Sequence, residues 1–282
     1  MIKKFFKKIF LYELYKKKRG ERVTHGKTKL NILKTFPLFE SHGWGLYPIR
    51  AKLTIKCINQ LVPALSSFCN ESTENRLFQK EIQTYFSKSP ETEQLGKLFN
   101  KYGSDKATTH NYYLLYASIL KSQKSVNKIF EIGLGTNNID IVSTMGKKGH
   151  PGASLRAFRD FCPNAEIYGA DFDSRILFQE KGIKTFYVDQ TEPNTLEEIR
   201  KKIGNNFDLM IDDGLHSPNA NLHSLKFFLP LLKVGGYAVI EDVNFLTADL
   251  WKVISSILEK NYVSTFIKTK ASCVFVVKKL KS

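Results

Sequence analysis

The stretch "KIFEIGLG" at residues 128–135 decides how the rest of the chain is read. It joins an apolar, strand-length run to a turn containing Gly133 and Gly135, and it carries Glu131 near its end. Four later segments share that build, a short apolar run closing on acids or glycine: "AEIYGADFD" (165–173), "KTFYVDQ" (184–190), "FDLMIDDG" (207–214) and "GYAVIEDV" (236–243). Between them stand helix-like segments, "SLRAFRDF" (154–161), "TLEEIRKKI" (195–203) and "NANLHSLKFFLPLL" (219–232). Strands alternating with helices imply a parallel sheet covered on both faces. The tail "YVSTFIKTKASCVFVVKK" (262–279) breaks the alternation and reads as two strands joined by a tight turn. The expected fold class is α/β: a Rossmann-like, doubly wound, mostly parallel sheet with an antiparallel C-terminal hairpin at one edge and a helical or irregular N-terminal extension.

In such a sheet, ligands bind beyond the carboxyl ends of the strands, where the acids of this chain sit. Gly133 and Gly135 let the backbone approach a ligand, although a glycine pair also serves turn geometry alone. A dinucleotide fingerprint needs a third glycine where this chain has Asn138, which argues against NAD. Asp171 is the expected acceptor for ribose hydroxyls, because an ionised carboxylate presents two oxygens. Asp173 is the expected cap of the next helix, and Asp189 or Gln190 the group that meets an exocyclic adenine amine. Acids at three successive strand ends, Glu131, Asp171 and Asp189, suit a cationic, hydroxyl-rich nucleoside better than a pyrophosphate.

With those residues, the chain over roughly 100–280 resembles the class I S-adenosylmethionine-dependent methyltransferases. Four segments in order narrow the resemblance: "GSDKATTHNYYLLY" (103–116), "GASLRAFRDFCPNAEIYGAD" (152–171), "DLMIDDGLH" (208–216) and "GGYAVIEDV" (235–243). Together they are similar to the sugar O-methyltransferases of macrolide antibiotic biosynthesis, which use S-adenosylmethionine and magnesium. That resemblance implies Asp213, Glu241 and Asp242 as metal-binding acids and His216 as the catalytic base. Separately, Ser154 at an expected helix start would let the helix N–H groups and its hydroxyl contact the methionine carboxylate of the cofactor; plain helix capping is the competing reading. The loop "TNNIDIVSTMGKKGHP" (136–151) and the basic N-terminus depart from the family, and such segments shape acceptor pockets.

The chemistry independently calls for such residues. Methyl transfer from a sulfonium must align acceptor oxygen, methyl carbon and sulfur, and must remove the acceptor's proton. A divalent cation stabilises the developing alkoxide of a weakly acidic sugar hydroxyl, and a histidine with an unperturbed pKa of ~6.5 can take its proton. All-oxygen ligation favours Mg²⁺ over zinc. Side chains alternate along a strand, so only one of Asp212 and Asp213 faces the metal, and Asp213 is taken. A lone loop histidine or solvated strand-end acids would be the bland readings of His216, Glu241 and Asp242. Their company argues otherwise, since a three-acid cluster without a basic partner is costly without a cation. Lys106, His110, Tyr112 and Tyr113 are candidates for the cofactor or acceptor pocket, with helix packing an equal account of the tyrosines.

The 282 residues, 42% of them hydrophobic, suffice for one substantial core and an appendage. Expected divisions are a basic amphipathic segment (1–29), an accessory region (30–92) and a methyltransferase domain (93–282). Residues 1–29 carry eleven Lys or Arg against Glu13 and Glu21, and so +9 of the net +16. In "MIKKFFKKIFLYELYKKK", apolar residues at helical spacing stand opposite lysines, a pattern for peripheral contact with an anionic membrane through residues 1–20 or for docking on the chain itself. No secretory leader or transmembrane run is read. Four scattered cysteines, without zinc or disulfide spacing, point to a reducing cytoplasm. The expected substrate is a sugar, as a sugar nucleotide or a surface-glycan or natural-product precursor. Without a nucleic-acid motif, RNA stands only as an alternative acceptor, and a non-catalytic membrane-surface module as the alternative to an enzyme.

Overall fold

A computed structural model describes residues 54, 56–58, 60–62, 79–81 and 86–281, save 142 and 259. The basic segment 1–29, with its expected membrane-facing or self-docking helix, lies outside the described residues, as does most of the region 30–92.

Among the described residues nine strands form one sheet: Gln79–Glu81 (β1), Lys128–Ile132 (β2), Glu166–Asp171 (β3), Gln179–Glu180 (β4), Ile183–Tyr187 (β5), Phe207–Asp212 (β6), Leu232–Val243 (β7), Tyr262–Lys268 (β8) and Cys273–Lys279 (β9). Their order is β1-β8-β9-β7-β6-β2-β3-β5-β4. The five strands read from the sequence are β2, β3, β5, β6 and β7, and they pair in parallel. From β2 the chain runs outward through β3 and β5, then returns to build β6 and β7 on the other side. The winding therefore reverses between β2 and β6, which is where a ligand crevice opens in a doubly wound sheet. The C-terminal hairpin is present, with β9 antiparallel to both β7 and β8.

Two elements differ from the sequence reading. In "ENRLFQKEIQTYF" (74–86) the spacing of Leu77, Ile82 and Phe86 predicts a helix, yet Gln79–Glu81 is a strand paired in parallel with β8. The outer edge of β8 offers backbone donors and acceptors that a strand satisfies, an advantage local periodicity does not register. Strand β7 begins at Leu232, four residues before its expected start, because Leu232 already pairs with Phe207 ahead of a register shift.

From residue 86 onward the α-helices are Pro90–Tyr102 (α1), Tyr112–Ile119 (α2), Ala153–Phe161 (α3), Pro193–Ile203 (α4), Pro218–Leu231 (α5) and Ala248–Ile257 (α6). Helix α1 starts where Ser89 and Thr92 cap each other's amides, with Pro90 at the first helical position. Adjacent strand residues go to opposite faces. Thus Ile129, Leu209 and Val239 pack with Phe99, Leu115 and Phe158 of α1–α3, while Phe130, Met210 and Ala238 pack with Leu196, Phe228 and Trp251 of α4–α6. Burial on both faces is why the central strands read as unbroken apolar runs. Among the described residues no helix is long and apolar enough to cross a membrane.

Candidate active and metal site

Past Ile132 the chain turns with Gly133 at φ +93° and Gly135 at φ +76°, conformations that L side chains rarely adopt. The turn is tied to β3: the Gly133 amide donates to the Ala170 carbonyl at 2.9 Å and the Leu134 amide to Asp171 Oδ2 at 2.7 Å. Asp171 Oδ1 accepts the Asp173 amide at 2.8 Å, and Asp173 caps the short helical turn that follows by accepting from Arg175. Burial pushes the Asp171 carboxyl up to about 6, even though backbone amides oppose the shift. Gly133, Gly135, Asp171, Asp189 and Gln190 line one pocket, which continues to Asp213, Leu215, His216 and Asp242.

The remaining cofactor candidates are engaged within the protein. Asp189 Oδ1 accepts the amide and the hydroxyl of Thr191, at 2.9 and 2.6 Å. Gln190 donates to Asp212 and Ser224, and its Oε1 accepts the Leu215 amide, so its side-chain amide joins the end of β5 to the turn after β6. Ser154 lies in the first turn of α3, whose cap is Gly152; its hydroxyl donates to Glu131. With Gly152 as the cap, the plain capping reading of Ser154 is corrected. Glu131 is fully buried, and it does not belong to the pocket wall.

Glu131 faces an acid cluster with a cation at its centre. Lys106, between α1 and α2, is 2% exposed. Its ammonium lies 2.5 Å from Glu241 Oε2, 2.7 Å from Asp213 Oδ2 and 3.2 Å from Glu131 Oε1. Burial alone would draw the ammonium's pKa down, but Asp213, Glu241 and Glu131 together raise it well above the ordinary lysine value. The premise that these acids lack a basic partner is thus corrected. Glu241, expected as a metal carboxylate, has both oxygens taken, one by Lys106 and one by the Tyr116 hydroxyl. Burial, with Asp213 beside it, raises its carboxyl well above the usual range against the pull of Lys106.

The groups that converge in the pocket are Asp213, His216 and Asp242, whose ligating atoms all lie within 4.8 Å of one another. His216 Nε2 stands 3.6 Å from Asp242 Oδ2 and 3.9 Å from Asp213 Oδ1. Burial works to raise the Asp242 carboxyl, but His216, His110, the Tyr112 hydroxyl at 2.6 Å and the Ser272 hydroxyl at 3.0 Å hold it below its ordinary value. Burial raises the Asp213 carboxyl, with Lys106 opposing. Two carboxylates and an imidazole facing one space fit a divalent cation. His216 and Asp242 both have left-handed backbones, φ +52° and +51°, uncommon for non-glycine residues and concentrated where a side chain must be aimed.

His110 stacks on Tyr112 at 4.9 Å and bridges Asp105 and Asp242, with its nitrogens 3.5 and 3.4 Å from their carboxylates. Tyr113 turns the other way and packs against Gly96 of α1, because consecutive helix residues point about 100° apart. Asp212 is fully buried and holds the turn after β6, accepting from Gln190, Asn221 and the Gly214 amide.

Tyr116, Ser272, Asp105 and Ser143 belong to the site or its support and were not read from the sequence. Tyr116 had a signal, since it follows Tyr112 by four and shares its helix face. Ser143 had none. It sits in the loop 136–151 at φ +59°, in the pocket wall, and its buried hydroxyl has no hydrogen-bond partner among the described residues.

The strand order, the glycine turn and the strand-end acids define a Rossmann-like fold of the class I methyltransferase type. Among solved structures, the chain is similar to a methyltransferase of the mycinamycin biosynthetic pathway in complex with Mg and SAH, with TM-score 0.53 and 24% identity over 69% of this chain and 56% of that one. The curated relatives include the mycinamicin VI 2''-O-methyltransferase of Micromonospora griseorubida, 36% identical over 120 residues, or 41% of this chain and 27% of that protein. The demethylmacrocin O-methyltransferase of Streptomyces fradiae is 33% identical over 119 residues, again 41% and 27%. The L-olivosyl-oleandolide 3-O-methyltransferase of Streptomyces antibioticus is 31% identical over 156 residues, 54% of this chain and 38% of that protein. The chain spans about a quarter to two fifths of the length of these curated relatives. No protein-family model matches it.

Proposed function

We propose that the chain is an S-adenosylmethionine-dependent O-methyltransferase that methylates a sugar hydroxyl with the help of Mg²⁺. One observation carries the reading: a single pocket joins the glycine turn and Asp171 to Asp213, His216 and Asp242, so methyl donor and proton acceptor open on the same space. The relatives, O-methyltransferases whose names include an olivosyl and a rhamnosyl compound, support a sugar acceptor.

In this reading Gly133 and Gly135 let the backbone approach the cofactor, Asp171 accepts its ribose hydroxyls, and Asp189 faces its base. Asp213 and Asp242 would hold Mg²⁺, which favours oxygen ligands and lowers the pKa of a bound hydroxyl. His216 Nε2 takes the acceptor's proton. As the oxygen–carbon bond forms, the carbon–sulfur bond breaks with its electron pair left on sulfur, and the cationic cofactor departs as a neutral thioether. Lys106, itself held by Glu241 and Glu131, supports Asp213 from behind, with Tyr116 and Ser154 bound to those two acids. The methyltransferase domain, expected from residue 93, takes in α1 from Pro90 and the strand Gln79–Glu81, with the basic segment 1–29 and the rest of 30–92 as accessory parts. A cytoplasmic sugar nucleotide or glycan precursor is the substrate class, in keeping with free thiols at Cys57, Cys162 and Cys273.

The test is transfer of isotope-labelled methyl from S-adenosylmethionine to sugar-nucleotide pools, read by mass spectrometry, with and without chelator. A chelator-sensitive gain of one methylene mass is expected. No binding of S-adenosylmethionine would overturn the reading.

A further inference from the structure

We propose that the Lys106 ammonium is a resident cation: it fills the inner of two neighbouring cation positions, leaving the chain to take one divalent ion, on Asp213 and Asp242 beside His216. The count of one rests on the metal reading above; the role of Lys106 at the inner position does not.

The sheet brings the acids together. Glu131 lies on β2, Glu241 on β7, and Asp213 just past β6, which runs between those two strands. Neighbouring strands stand ~4.8 Å apart, so carboxylates from three of them reach one point. The ammonium nitrogen occupies that point, at 2.5, 2.7 and 3.2 Å from one oxygen of each acid. The ammonium, a donor with no acceptor, hydrogen-bonds Glu241 and Asp213 and stands as an ion pair with Glu131, whose Oε1 has no hydrogen-bond partner among the described residues. The second oxygens of the inner acids are also engaged, Glu241 by Tyr116 and Glu131 by Ser154. The inner acids are therefore compensated by an ammonium and two hydroxyls rather than by a metal, with Glu131 Oε1 held by charge alone.

Asp213 joins the two positions. Its Oδ2 is bound to Lys106, while its Oδ1 faces His216 and the outer cluster. Lys106 thereby sets which oxygen Asp213 presents to a divalent ion and withholds Glu241 from it. Removing the ammonium leaves three carboxylate oxygens around a space that a flexible cation draws together, since Ca²⁺ and Mn²⁺ accept such all-oxygen sites. Lys106 is in this sense a positioning residue.

The experiment compares the full chain with Lys106→Ala, using Mn²⁺ alone as probe and reading bound equivalents by equilibrium dialysis and Tm with and without chelator. The wild type is expected to bind one equivalent and Lys106→Ala two. In chelator the variant melts lower, and saturating Mn²⁺ restores most of the loss. A lysine with a merely structural role would lower Tm without adding an equivalent. An unchanged count, a Tm loss that Mn²⁺ does not recover, or failure to fold even with Mn²⁺ overturns the proposal. Lys106→Ala/Glu241→Gln, which removes one charge of each sign, should fold in chelator and return to the wild-type count; a retained extra equivalent also overturns it. If the wild type binds no Mn²⁺, the metal reading fails separately, and the resident-cation role is still judged by whether Lys106→Ala gains one.

Discussion

Replacing Gly133 by alanine tests how closely the two turns that build the site are locked. A Cβ at Gly133 would lie 2.0 Å from the Asp213 carbonyl oxygen, 2.5 Å from its carbonyl carbon and 2.9 Å from the Gly214 amide nitrogen. All three are backbone atoms, and the turns are pinned by Asp213 N to Ile132 O at 2.8 Å and Gly133 N to Ala170 O at 2.9 Å. Relief requires the turns to part by about 1 Å or more. The left-handed backbone adds ~1–2 kcal/mol and the overpacking ~1–3 kcal/mol, so Gly133→Ala should lose about 2–5 kcal/mol. Gly146 supplies the control, with φ +74° and nothing within 4 Å of its added Cβ. Gly146→Ala should lose only the backbone component, ~1–2 kcal/mol. Urea denaturation with linear extrapolation measures both. Because the displaced carbonyl belongs to Asp213, Gly133→Ala should also weaken Mn²⁺ binding, whereas Gly146→Ala should not. Equal stability losses in the two variants would refute the close approach.

Asp171, pushed up to about 6 from an ordinary 3.8, holds a proton in the folded state that the unfolded chain has released. Stability should therefore fall as pH rises from about 4 to 6, by about 3 kcal/mol at ~1.4 kcal/mol per unit. Asp171→Asn should remove that part of the slope, and an unchanged slope in pH-dependent urea melts would contradict the assignment. Asp173 works in the opposite sense: burial opposes the shift, but Arg175, Thr136 and Asn138 hold its carboxyl at about 2. Its contribution should be lost only as pH falls from about 4 to 2. His216→Ala should abolish methyl transfer while keeping Mn²⁺ binding within a few-fold, since Mg²⁺-type ions depend on the carboxylates; loss of Mn²⁺ binding would make the imidazole a ligand rather than the base. Ser89→Ala should cost about 1 kcal/mol by leaving the start of α1 without its cap, measurable as a lower urea midpoint.

The alternation of apolar runs and helical segments from residue 128 onward was enough to assign the sheet, because strands buried on both faces have one composition and their covering helices another. The hairpin was legible for the same reason. The strand Gln79–Glu81 was not, since its pairing with β8 depends on an edge some 190 residues away in the chain. At the site, the "DDGLH" and "IEDV" motifs marked Asp213, His216 and Asp242, which the structure brings together. The same motifs could not say that Glu241 turns away. Its orientation follows from Lys106, 135 residues upstream, and from Tyr116 on α2.

By itself, then, the amino-acid order determined the parallel sheet, the glycine turn and the inventory of acids at the strand ends, since each is a local pattern of residue type and spacing. Tertiary structure decided the partition of those acids. Which carboxylate is satisfied by an ammonium and which faces the pocket depends on groups from β2, β6, β7 and the segment before α2 meeting within hydrogen-bond distance. Charge compensation in a buried cluster acts over a few ångströms of space, and no spacing along the chain encodes which distant cation will supply it.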